Sequence, residues 1–177
     1  MTKIHTFSDG FGAGHAFPMW PQMIAASGFD VVNYSEVSIS VPELLDLFYK
    51  SYNSHDRFLV QLPEFGRIIG VRMPAQTDRN LYIRDQNLLT DIKNKNFPNV
   101  TIIHVPEMDK WSRQFSDRGE EPQPQPVVHA RWLMQNFPDL ISPNIYYTIE
   151  KFGKWEPYYW DREQQWKDLI NEASLFQ

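Results

Sequence analysis

The chain has 177 residues and a mass of 20.9 kDa, long enough for one domain with a sizeable core, or for a domain plus an appendage. Its 42% hydrophobic and 22% charged residues exclude a disordered chain, and its net charge of −5 argues against nonspecific nucleic-acid binding. No cysteine is present, which excludes disulfides, thiolate metal sites and cysteine nucleophiles; no apolar run is long enough for a membrane span.

The first residues, Met1 to Phe7, lack the apolar stretch of a secretory signal, so a cytoplasmic location is expected, with a virion-associated one also open. Residues 3–7 alternate and run into Ser8-Asp9-Gly10-Phe11-Gly12-Ala13-Gly14, which reads as a strand followed by a glycine-rich loop. A short helix is expected from Trp20 to Ser27, stopped by Gly28, and a strand from Asp30 to Tyr34. Ser40 followed by Glu43 has the form of a capping box. Leu44, Leu45, Phe48 and Tyr52 then recur at helical spacing. Arg57 to Leu62 reads as a strand ended by Pro63, and residues 66–73 as an extra strand or hairpin arm. A helix is expected from Asp85 to Lys95 and a strand from Val100 to Val105. Residues 106–126 form a polar loop ending in alternating Pro and Gln; helices follow over Val127 to Phe137 and Arg162 to Phe176.

Strands alternating with helices imply a parallel sheet with helices on both faces. The expected fold is therefore a three-layer α/β/α domain, flavodoxin-like in strand order, over residues 1–137, with residues 138–177 as a helical extension packed on it. In such sheets ligands bind beyond the carboxyl ends of the strands. Here those ends are residues 8–14, 35–40 and 61–64 and the loop after Val105.

The motifs at these ends resemble those of the SGNH (GDSL-type) hydrolases, especially short versions encoded by phages, over about residues 3–137. In that family the first strand ends in a Gly-Asp-Ser type motif whose serine is the nucleophile; here the matching position is Gly10. The second block, Asn-Tyr-Gly-x-x-Gly-x-Ser, matches Asn33-Tyr34-Ser35-Glu36-Val37-Ser38-Ile39-Ser40, with Ser38 at its oxyanion-hole glycine. The third, Gly-x-Asn-Asp, falls near Gln61-Leu62-Pro63-Glu64 and lacks its asparagine. The fourth, Asp-x-x-His-Pro and a helix histidine, matches Glu120, Gln123 and His129 in that order.

Glycine offers no nucleophile, and a glutamine amide cannot take up a proton near neutral pH. The resemblance therefore implies a relative that has lost ester hydrolysis and acts as a binding or structural module. Its pocket would be lined by Ser8, Asp9, Gly10, Ser38, Gln61, Glu64, Gln123 and His129. The alternative is an active esterase or carbohydrate deacetylase with a non-standard nucleophile. Ser8, two residues before Gly10 and so on the same strand face, is the candidate, with His129, His15 or His104 as base. Against that stands the plainer reading of Ser8 as a turn or cap residue, and of Asp9 as a turn former.

Other constellations have plainer explanations. Gly10, Gly12 and Gly14 lack the spacing of a dinucleotide loop, and Pro18 and Pro21 interrupt the helix start, so turn geometry explains them better; no cofactor is implied. No two histidines stand at i, i+4, so no metal site is implied; His5 and His104 read as strand packing residues. The acidic pairs Glu120-Glu121 and Asp161-Glu163 read as solvated surface. The last 32 residues hold nine aromatics, against seventeen in the preceding 145. Such enrichment suits packing, a protein interface or self-association, or a sugar-stacking platform. A glycan or acyl group is the expected ligand class.

Overall fold

A computed structural model of the chain describes residues 2–9, 19–36, 39–63, 65–66, 78–104 and 125–152, with Gln164, Asp168 and Asn171. In chain order the elements are β1 (Ile4–Phe7), α1 (Trp20–Ala26), β2 (Val31–Asn33), α2 (Val41–Ser51), β3 (Arg57–Leu62), α3 (Arg79–Asn94), β4 (Val100–His104), α4 (Gln125–Asn136) and α5 (Pro143–Phe152). This is an α/β fold, and its four strands form an all-parallel sheet in the order β2-β1-β3-β4. The chain divides into two compact units. Met1–Ala13 with Val32–Pro106 makes the first, and Gly14–Val31 with Glu107–Gln177 the second.

In the first unit, β1 pairs with β3 from Ile4↔Arg57 to Phe7↔Val60, and β3 with β4 from Phe58↔Val100 to Leu62↔His104. All four residues of β1 and the last five of β3 are buried, as both faces of strands inside a parallel sheet are covered, although β1 carries His5 and Thr6 among its apolar residues. The register puts His5 and Phe7 on the same face as Phe58 and Val60. Phe7, Phe58, Val60 and Leu62 join Leu44, Leu45 and Phe48 of α2 and Ile92 of α3 in one core cluster. Helix α2 buries Val41, Leu44, Leu45 and Phe48, the i, i+3, i+4, i+7 stripe of an amphipathic helix. Its capping box forms as expected: the Ser40 amide and hydroxyl both donate to a Glu43 carboxylate oxygen, at 3.0 and 2.6 Å. The Ser40 hydroxyl, and then its amide, hold the Glu43 carboxyl below the usual carboxylate range.

Helix α3 begins six residues earlier than the periodicity predicts. Asp78 caps it by accepting from the amides of Asn80 (2.8 Å) and Leu81 (3.0 Å). Asp85 is therefore an interior residue of the helix. It is buried, it accepts the Gly66 amide at 2.9 Å, and it takes two bonds from the Arg84 guanidinium. Gly66 has a positive φ of 74°, and its carbonyl accepts the Asp78 amide at 3.0 Å. A Cβ there would stand 2.8 Å from the Asp78 carbonyl oxygen and 3.0 Å from Tyr82 Cβ. We expect Gly66→Ala to cost about 2–3 kcal/mol, left-handed strain plus the collision. Gly28 also has a positive φ, of 99°, but a Cβ added there meets nothing within 4 Å, so Gly28→Ala should cost less. Denaturation midpoints of the two variants check the ranking; equal losses would contradict it.

The amino edge of the same sheet is tied by Asp56. Its carboxylate accepts the Lys3 amide, Asn53 Nδ2 and His5 Nε2, each at 3.0 Å. The Lys3 amide first, then Asn53 and His5, hold its pKa down to about 2. Asn53 Oδ1 accepts the amides of His55 and Asp56, which sets the turn into β3. Asn99 Nδ2 donates to the carbonyls of Asn53 and Asp56, joining the start of β4 to the same knot.

In the second unit, α1 buries Trp20, Pro21, Met23 and Ile24. It ends where expected, with the Gly28 amide bonded to the Ala25 carbonyl at 3.0 Å. Trp20 meets Trp132 of α4 edge-on, with ring centres 6.4 Å apart. Arg131 of α4 bonds Glu150 of α5 at 2.7 Å, and Tyr146 donates to the same carboxylate oxygen at 3.0 Å. Helix α5 lies within the helical extension expected from residue 138, although no separate helix was assigned to these residues. Its signal is Ser142-Pro143, a capping serine followed by proline in the first helical position, with the Ile145 amide bonded to Ser142 Oγ at 3.3 Å. Farther on, Gln164, Asp168 and Asn171 are helical, within the helix expected over 162–176.

Candidate functional site

The chain runs from β1 to β2 on one side and returns to β3 on the other, so strand order reverses between β1 and β3. Crevices at the carboxyl side of such a reversal are the usual ligand sites of parallel sheets. Ser8 and Asp9 leave β1 there, Ser35 and Glu36 leave β2, and Gln61 is the last residue but one of β3 beside them. Register extends the pairing of Phe7 with Val60 by one residue, so Ser8 and Gln61 share a face. Their side chains meet: Ser8 Oγ donates to Gln61 Oε1 at 2.6 Å, and both residues are wholly buried. Asp9 is buried as well.

Beside them, the Ser8 carbonyl accepts the Glu36 amide at 3.1 Å. Asn33 Oδ1 receives Thr6 Oγ1 (3.1 Å), the Ser35 amide (3.1 Å) and Ser35 Oγ (2.6 Å), which turns the chain at the end of β2. The three strand ends thus form one polar, hydrogen-bonded floor. Chemically, the Ser8 proton is directed at an amide oxygen. An amide is not a base, so this bond holds the hydroxyl without activating it.

His5 lies on the opposite face of β1 from Ser8, buried, its ring stacked 4.6 Å from Phe58 and 5.8 Å from Tyr34. It is the packing residue expected, with an Asp56 contact that sequence spacing did not announce. His129 belongs to the second unit, on α4, where burial pushes its pKa down to about 4. Its ring is neutral at pH 7.

Of the other site positions, Gly10, Ser38, Glu64, Glu120 and Gln123 lie outside the described residues, as do His15, the hairpin arm over 67–73 and most of the aromatic segment. Among the described residues no group of three His, Asp or Glu side chains could hold a metal ion, and no helix is long and apolar enough to cross a membrane. A groove of about 300 Å³ also lies between the end of α3 and the start of β4, lined by Ile92, Lys93, Asn96, Phe97 and residues 100–102. Those β4 residues begin the strand, so the groove is not at the carboxyl ends.

The residues that sequence reasoning missed are Asp56, Asn53 and Asn99. The signal for the first two was local: an asparagine three residues before an aspartate, between helix and strand, is a turn of the Asx type. Compared with models of protein families and with characterised proteins, the chain matches none.

Proposed function

We propose that this chain is a non-catalytic relative of the SGNH hydrolases that serves as a binding or structural module, its crevice at the carboxyl ends of β1, β2 and β3. The observation that carries the reading is the buried bond from Ser8 to Gln61, which engages the hydroxyl of the candidate substitute nucleophile with a non-basic acceptor. Gly10 and Gln123 in the sequence support it, since neither can perform hydrolysis. The strand order β2-β1-β3-β4 is that of flavodoxin-like sheets and supports the three-layer arrangement that goes with this reading.

The decisive test treats the protein with a fluorophosphonate serine probe and with short acyl esters. We expect no label and no turnover. Label on Ser8, or turnover that Ser8→Ala abolishes, would overturn the proposal in favour of an esterase or carbohydrate deacetylase. The same Ser8→Ala variant should lose about 1–3 kcal/mol of stability, because a buried hydrogen bond is broken on one side. A thermal-shift panel of sugars and acyl esters then separates the two forms of the module. A ligand at a hundred times its Kd adds about 2.7 kcal/mol to the folded state. A panel without any response would leave the structural role.

A further inference from the structure

We draw no further inference here: the strongest candidate, the groove between the C-terminal end of α3 and β4 lined by Ile92, Phe97, Val100 and Ile102, carries nothing because nothing in the structure shows what covers it.

Discussion

Replacing Phe48 with alanine should remove about 3–5 kcal/mol of stability, the largest loss expected from any single core truncation in the first unit. Phe48 is fully buried on α2. Its ring lies 5.9 Å from Phe7 of β1, 5.8 Å from Phe58 of β3 and 5.5 Å from Phe97, in each case edge-on. Tyr49 and Tyr52 stand tilted against it at 5.2 and 5.6 Å. The edge-on geometry adds to area burial, because the positive rim of one ring meets the negative face of the next. Small domains are stable by only about 5–15 kcal/mol, so the variant should unfold at a far lower urea concentration. Phe48→Leu keeps most of the volume and should lose less than about 2 kcal/mol. Far-UV circular dichroism through a urea titration reads both; a Phe48→Ala midpoint as high as that of the unaltered protein would show that the ring contributes little.

The second large effect is of pH. His129 has a pKa of about 4 in the fold against an ordinary 6.5, because burial disfavours its charged form. Between those values the unfolded chain takes up a proton that the folded chain refuses. Stability therefore falls as pH is lowered through this window, by at most about 1.4 kcal/mol per unit and about 3 kcal/mol in all. Above pH 7 both states are neutral and the group contributes no slope. Asp56 acts lower down: its depressed pKa stabilises the fold above the ordinary carboxylate value, and that help is lost as pH falls toward 2. Titrating stability from pH 7 to 4 in the protein and in His129→Leu isolates the histidine. The variant should show a flatter profile over that range; an unchanged slope would assign the acid sensitivity elsewhere.

The strands and α2 were legible because their signals are local. Arg57–Leu62 is a β-rich run closed by proline, and Ser40 with Glu43 marks a helix start within four residues. The start of α3 was not read, because its apolar stripe of Leu88, Leu89 and Ile92 lies in its second half, and its first turns bury no apolar residue. Asp78, its cap, was the better guide. At the candidate site, strand parity could set the face on which Ser8 lies, but its partner could not be read. Gln61 lies 53 residues away, and no local pattern encodes which side chain a parallel register sets beside another. Asp56 carried the local cue of the Asn53 turn, but its bonds to Lys3 and His5 could not be read, because they exist only once β1 and β3 are side by side.

That pairing of β1 with β3 has a consequence for synthesis. Ile4 leaves the ribosome 53 residues before Arg57, its partner across the ladder. At ordinary elongation rates of about 5–20 residues per second, the strand Ile4-His5-Thr6-Phe7 waits roughly 3–10 seconds for β3. Through that interval one side of its backbone has nothing to bond but water or a chaperone. The nascent chain is most exposed to mispairing before β3 has emerged.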